Sequence, residues 1–202
     1  MRTVQSGASL RDATVVLDDR MILRAVNLAV GPGLTLVRGP NGSGKTTLLR
    51  ALAGLVPLAR GERRASGDVL YIGHRPMLLR GLTARENLEF FVRFRGGDTH
   101  GIDGALRAWG VGEDMDRPVE RLSAGERRRA ALARVETERV PVLLLDEPFA
   151  DLDDAGAIRL RETIARARED GRSVVVATHA HPELDELAMA QIAIDDGAAT
   201  AA

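Results

Sequence analysis

Two stretches near the N-terminus, Ala13 to Leu17 and Leu23 to Val30, carry alternating or β-branched apolar residues. That two-residue period predicts strands. Gly31-Pro32-Gly33 reads as a turn between strands. Leu34 to Val37 is an apolar run that predicts a buried strand, and Val140 to Leu145 is a second, of the kind seen in strands covered on both faces. Val69 to Ile72, Ser173 to Ala177 and Gln191 to Ile194 predict three more strands, the last of the chain being Gln191 to Ile194. Helical spacing marks Lys45 to Leu52, ending near Gly54, then Asp153 to Arg168 and Pro182 to Ala190. Strands before the first helix, followed by strand–helix alternation, predict a mixed α/β core. The Ala-rich tail, Ala198 to Ala202, is expected to be disordered.

From Gly73 the pattern becomes helical. Thr83-Ala84-Arg85-Glu86 has the form of a capping box, and the helix it opens carries Leu88, Phe91, Val92 and Arg95, with Phe90 and Phe94 nearby. The phenylalanines read first as the core of a helical lobe. The competing reading has some of them lining a groove for a partner's helix. A second helix is expected over Ile102 to Trp109, and a third opens at Ser123-Ala124-Gly125-Glu126 and runs to about Thr137. A lobe of about 75–136 is thus inserted into a core of 1–74 and 137–197, the whole being one domain of 202 residues.

Composition narrows the function. There are no cysteines, which excludes disulfides and thiolate metal sites. The formal net charge is -1 and aromatics are 3 %, so neither a basic field nor stacking platforms favour nucleic acid. No apolar run reaches the roughly 18 residues of a membrane span, and Met1 to Leu10 lacks the apolar core of a signal peptide. A soluble cytoplasmic protein is the expectation. Arg127 to Arg129 read first as a solvated face.

The chemistry gathers at Gly39-Pro40-Asn41-Gly42-Ser43-Gly44-Lys45-Thr46-Thr47, which fits the phosphate-binding pattern G-x-x-x-x-G-K-[ST] between a strand and a helix. Glycines let backbone N–H groups close around phosphate oxygens, and the helix directs its positive end at them. Lys45 can reach the β- and γ-phosphates, and the Thr46 hydroxyl can bind Mg²⁺. Lys45 is the only lysine in the chain. Arginine's planar fork does not replace a compact ammonium in a tight loop. Asp146 and Glu147 end the Val140–Leu145 strand, at the carboxyl edge where open α/β sheets bind ligands. Asp146 is placed for Mg²⁺ and Glu147 for an attacking water; alone, the pair is an acidic strand end.

Leu122-Ser123-Ala124-Gly125-Glu126 stands where ATP-binding-cassette ATPases carry their LSGGQ signature. The order of motifs also resembles that family: phosphate loop, inserted lobe, signature, Leu145-Asp146-Glu147-Pro148 as Walker B, Ala150-Asp151-Leu152-Asp153 as the D-loop, and Thr178-His179 as the switch histidine. The resemblance covers nearly the whole chain. It implies an ABC-type P-loop ATPase fold with a RecA-like core and a signature lobe. It also implies ATP and Mg²⁺ as ligands and a head-to-tail dimer, with two ATP molecules between the phosphate loop of one subunit and the signature of the other. The second cassette is expected to be an identical copy. In that scheme Ser123, Ala124, Gly125 and Glu126 face the partner's ATP, Glu147 activates water, and His179 contacts the γ-phosphate. Ser123 and Glu126 also form S-x-x-E, a capping box, and both roles use the same helix end. Integral membrane transporter subunits are the implied partners, which would hold this chain peripherally on the inner face of the cell membrane.

Three positions depart from the family pattern. Glu126 replaces glutamine, Arg75 stands at the glutamine that senses Mg²⁺ and the membrane partner, and Leu17-Asp18-Asp19-Arg20 offers no aromatic for adenine, leaving Arg20 as a stacking candidate. Gly73-His74-Arg75-Pro76, Leu82-Thr83-Ala84-Arg85-Glu86-Asn87-Leu88 and Leu122-Ser123-Ala124-Gly125 look like the ATP-binding subunits of bacterial haem exporters of cytochrome c maturation. The expected function is therefore an ATPase that powers a membrane transporter, with haem export for cytochrome c biogenesis as the specific form. His74, His100, His179 and His181 are too scattered to hold haem. Competing readings are a soluble cassette ATPase acting on nucleic acid or ribosomes, and a module that binds ATP without hydrolysis. A GTPase is excluded, because its N-K-x-D motif needs a second lysine.

Overall fold

Alternating apolar positions on the N-terminal strands bury one face and build a small antiparallel sheet. The computed structural model describes residues 7–179 and 182–201. It divides into two compact units: Met1–Tyr71, Val140–Pro148 and Ile164–Ala202 form the first, and Ile72–Arg139 with Phe149–Thr163 the second.

In the first unit, β1 (Ala8–Leu17) pairs antiparallel with β2 (Arg20–Val30) and with β4 (Arg60–Ala65). Asp18 and Asp19 make the β1–β2 turn with both φ positive, 47° and 59°, the geometry that matches strand twist in a two-residue hairpin. The main sheet has the order β5-β6-β7-β3-β8-β9. Its strands are β3 (Gly33–Arg38), β5 (Val69–Ile72), β6 (Val142–Asp146), β7 (Ser173–Ala177), β8 (Ala190–Asp195) and β9 (Ala198–Ala201). β3, β6, β7 and β8 run parallel, and β9 returns antiparallel on β8. Helix α1 (Lys45–Ala53) lays Leu48, Leu49 and Leu52 into a core shared with Val37, Val142, Leu144 and the inner faces of β1 and β2. Gly54 ends it in the left-handed conformation, φ 74°.

The second unit holds α2 (Ala84–Phe94), α3 (Ile102–Ala108) and α4 (Ala124–Thr137). Thr83 and Ser123 each close a full capping box, with Glu86 and Glu126 respectively. Helix α5 (Asp154–Glu169) begins in this unit. The sequence assigns 149–163 to the α/β core, whereas here it belongs with the helical residues. Glu136 of α4 explains why: it accepts from Trp109 Nε1 (2.9 Å), from Arg159 (2.7 and 2.8 Å) and from Thr163 Oγ1 (2.8 Å).

Three expectations need correction, and one strand was not foreseen. β4 is a strand of arginines and a glutamate with no apolar alternation; β1 recruits it by register, not by hydrophobicity. β9 occupies residues expected to be disordered, because Asp196 and Gly197 (φ 41° and 77°) form a tight hairpin turn after β8. The helix expected over Pro182 to Ala190 is only α6 (Pro182–Asp185): the Met189 N–H already donates to Leu34 O on β3, which commits the chain to β8. Phe90 and Phe94 are not lobe core. They are 47 % and 79 % exposed and stack on each other, while Phe91 is half-buried beneath the Arg134 guanidinium, 3.5 Å from its ring centre. His181 lies outside the described residues.

Candidate functional site

The carboxyl ends of β3, β6 and β7 converge in the first unit on a cleft of about 370 Å³. It is lined by Ile22, Asn41, Gly42, Gly44, Lys45, Thr46, Thr47, Asp146, Glu147 and His179. The loop from Gly39 leaves β3 and enters α1 at Gly44, which caps the helix in the left-handed conformation with no side-chain bond to the first turn. The N–H groups of that turn are thereby left for a ligand. A side chain at Gly39 would put its Cβ 2.1 Å from Ile194 O and 2.8 Å from Ser43 Oγ. Ser43 Oγ is buried without a hydrogen-bond partner. A glycine-framed cradle holding an unsatisfied buried hydroxyl fits a group rich in acceptor oxygens.

Lys45 is 8 % exposed, and its Nζ donates to Gly39 O (2.8 Å) and Pro40 O (2.9 Å). These carbonyls hold the ammonium inside its own loop. Thr46 and Thr47 follow on the first turn, and Thr46 is exposed to the cleft.

Asp146 ends β6 and is 2 % exposed. Tyr71 Oη donates to its Oδ2 at 3.1 Å, and Arg50 Nε of α1 donates to Tyr71 Oη at 3.4 Å. Burial pushes the Tyr71 hydroxyl above its ordinary value, the Asp146 charge adds to the rise, and Arg50 opposes it. Glu147 follows with a left-handed φ of 46°, and its N–H donates to Ala177 O on β7 at 2.7 Å. A non-glycine residue in that region costs about 1–3 kcal/mol, a cost met at functional sites. His179 is exposed, with Nε2 3.5 Å from Glu147 Oε1. Among the described residues no three His, Asp or Glu side chains gather for a metal ion. Thr46 and Asp146 offer two oxygens in one cleft, as suits Mg²⁺, which keeps waters and phosphate oxygens as its other ligands.

The remaining sequence candidates lie in the second unit. Ser123 caps α4: its Oγ accepts from Glu126 N (3.2 Å), and Glu126 Oε2 accepts from Ser123 N (2.6 Å). Ser123 and Ala124 are exposed, and Gly125 and Glu126 half-buried. Asp151 has a φ of 62°. Asp153 Oδ1 accepts from Gly156 N (2.8 Å) at the head of α5, and its Oδ2 lies 3.5 Å from Arg129 Nη1 on α4. Arg75 is exposed in the irregular segment after β5. The carbonyl of Gly73 there accepts from Arg128, which is only 1 % exposed, at 2.6 Å. Arg127 and Arg129 are half-buried, so the arginine run is not a plain solvated face.

Sequence reasoning missed Tyr71, Arg50, Ile22 and the β8–β9 turn. Gly197 N donates to Ser43 O (3.2 Å), and Gly197 O accepts from Arg24 N (2.9 Å), so the turn supports the phosphate loop. The Asp-Gly pair was the available signal for that turn. Arg20, weighed for adenine, is exposed at the start of β2, and Ile22 lines the cleft instead.

This fold and loop define a P-loop nucleoside triphosphatase. The family model "ABC transporter" matches residues 23–150. The cytochrome c biogenesis ATP-binding export protein CcmA of Sphingopyxis alaskensis is 38% identical over 189 residues, covering 92% of this chain and 97% of that protein. Its counterpart from Paracoccus denitrificans is 46% identical over 164 residues, covering 78% and 76%. Among solved structures, an ATP-binding subunit of an ABC transporter has a TM-score of 0.88 at 19% identity, over 97% of this chain and 90% of that one. The dimeric bacterial ABC transporter cassette MJ0796 has 0.84 at 23%, over 95% of each. The chain belongs to the ABC transporter family and is an ATP-binding cassette ATPase. Among the described residues no helix is long and apolar enough to cross a membrane.

Proposed function

We propose that this chain is the ATP-hydrolysing subunit of a membrane export system for cytochrome c biogenesis, with haem handled by its membrane partners. The observation that carries the ATPase reading is one cleft lined by Lys45, Thr46, Asp146, Glu147 and His179. The export reading rests on the CcmA relatives, which match along most of their length. No observation favours the nucleic-acid alternative.

The N–H groups at the start of α1 and the Lys45 ammonium hold the β- and γ-phosphates. Thr46 and Asp146 would hold Mg²⁺, which when bound would offset negative charge on the phosphates. Glu147 takes a proton from water as the water oxygen bonds to the γ-phosphorus. The bond to the bridging oxygen breaks, and ADP and inorganic phosphate leave. His179, 3.5 Å from Glu147, contacts the γ-phosphate on the same side. Two copies meet head to tail, and Ser123 and Gly125 at the start of α4 offer a helix N-terminus to the partner's ATP. Asp153 joins that face through its contact with Arg129, with Asp151 two residues before it. The exposed Phe90 and Phe94 of α2 suit the apolar side of a membrane subunit's cytoplasmic helix, with Arg75 on the loop before them. Glu126 closes the cap as glutamine would, so its role in the fold accounts for its presence there.

The test is the solution mass of Glu147→Gln with and without Mg-ATP, beside the ATPase rate of the unmodified chain. The variant is expected to dimerise only with ATP and to lose hydrolysis. Hydrolysis at the unmodified rate would overturn the role of Glu147. Full ATP affinity in Lys45→Ala would overturn that of the loop.

A further inference from the structure

Arg38 is the last residue of β3, immediately before Gly39 of the phosphate loop. A long guanidinium there has no part in the phosphate-binding pattern, which begins one residue later. It does not line the cleft. It reaches across the sheet to the segment that follows β7. Arg38 Nη1 donates to Thr178 O at 3.2 Å and also to His179 O. Arg38 Nη2 pairs with Asp185 Oδ1 of α6 at 2.8 Å. One side chain thus grips the carbonyls of the switch histidine and its predecessor, and the short helix beyond them. A further link, Thr178 N to Val37 O (3.4 Å), comes from the same strand end.

We propose that Arg38 is the positioning residue for His179: it clamps the histidine's backbone to the base of the phosphate loop, so that ring and loop keep one geometry. The inference rests on the reading that His179 contacts the γ-phosphate. The exposed His179 ring has its carbonyl, not its side chain, fixed from below. Its Nε2 stays beside Glu147, whose own N–H is tied to Ala177 at the end of the same strand. The Arg38–Asp185 ion pair is partly exposed and by itself contributes little stability. Its effect is to orient the fork, leaving the other nitrogen aligned on the two carbonyls. Lysine has no second nitrogen with which to do both.

The experiment compares Arg38→Ala, Arg38→Lys, His179→Ala and the double variant Arg38→Ala/His179→Ala in the full chain. It measures ATP affinity, kcat and KM, together with amide hydrogen exchange of residues 178, 179 and 183–189. A positional error of about 1 Å costs up to about 100-fold in rate, so Arg38→Ala is expected to lose about 10- to 100-fold in kcat with ATP affinity unchanged. The double variant is expected to be no slower than His179→Ala, because both changes remove one function. Exchange is expected to rise at 178, 179 and 183–189 and not in α1, with Arg38→Lys between the two extremes. Additive losses, a loss of ATP affinity matching the loss of rate, or unchanged exchange would each overturn the proposal. Full activity in His179→Ala would overturn the reading of the histidine instead. The exchange result still decides whether Arg38 clamps the segment.

Discussion

Tyr71→Phe is the sharpest probe of how the cleft is held together. The substitution removes a single oxygen from a ring that is 8 % exposed. That oxygen donates to the buried Asp146 carboxylate at 3.1 Å and accepts from Arg50 at 3.4 Å. A hydrogen bond to a charged group contributes about 1.5–3 kcal/mol, and removing one donor takes that amount from the native state. For a chain of this length each kcal/mol moves Tm by about 2–4 °C, so a fall of about 3–12 °C is expected by calorimetry. The pH dependence gives an independent check. The folded hydroxyl titrates above its unfolded value of 10.0, first because it is buried and then because Asp146 repels the phenolate. A raised pKa means the stabilisation is complete below about pH 10 and is lost as pH climbs through the folded value. Tyr71 is the only tyrosine, so tyrosinate absorbance titrates this group alone. The unmodified chain should therefore show a midpoint above that of a free tyrosine and an alkaline loss of stability that Tyr71→Phe lacks. A midpoint at the ordinary value, or a Tm unchanged by Tyr71→Phe, would refute the reading that the buried hydroxyl is bonded to Asp146.

Two further substitutions separate folding from function in the second unit. Ser123→Ala removes the α4 cap and should cost about 1 kcal/mol in thermal unfolding, while Glu126→Gln keeps the box closed and should be close to neutral. A larger change in the ATP-dependent dimer of the Glu147→Gln background than in stability would assign Ser123 to the interface as well. Glu138→Ala strips the one carboxylate that Arg95 and Arg134 share at 2.5 Å each. Burial already pushes the Arg134 guanidinium down, and Glu138 opposes that. Leaving such a charge uncompensated should cost about 3–5 kcal/mol. Denaturant unfolding followed by the fluorescence of Trp109, the only tryptophan, would measure it.

Legibility in the sequence followed local physics. The phosphate loop, the α1 stop at Gly54 and both capping boxes are set by residues within one turn of each other, and each stands where its local pattern predicts. β6 and β7 announced themselves as apolar runs, since both their faces are covered. What failed depends on distant partners. β4 has the composition of a solvated loop and is a strand only because β1 offers it an edge. α6 is cut short by a hydrogen bond to Leu34, far away in the chain. The candidate site divides the same way. Lys45, Thr46, Asp146, Glu147 and His179 carry motif chemistry and could be named. Tyr71 and Arg38 act through bonds to residues 75 and about 140 positions away, and no spacing rule reaches them.

The use of basic residues follows from these contacts. Several arginines donate to backbone carbonyls: Arg38 to Thr178, Arg63 to Leu52, Arg128 to Gly73, Arg168 to Leu187 and Arg172 to Val140. Each ties together segments distant in sequence, and a planar five-donor fork does this at little entropic cost per bond. The single lysine also bonds to carbonyls, those of Gly39 and Pro40, but these belong to the loop it must serve. An ammonium on a flexible stem can exchange those two oxygens for phosphate oxygens by rotating within the cleft. A guanidinium would have to turn as a plane to make the same exchange. Rigid donors therefore tie segments together within each unit, and the one lysine sits where the ligand arrives.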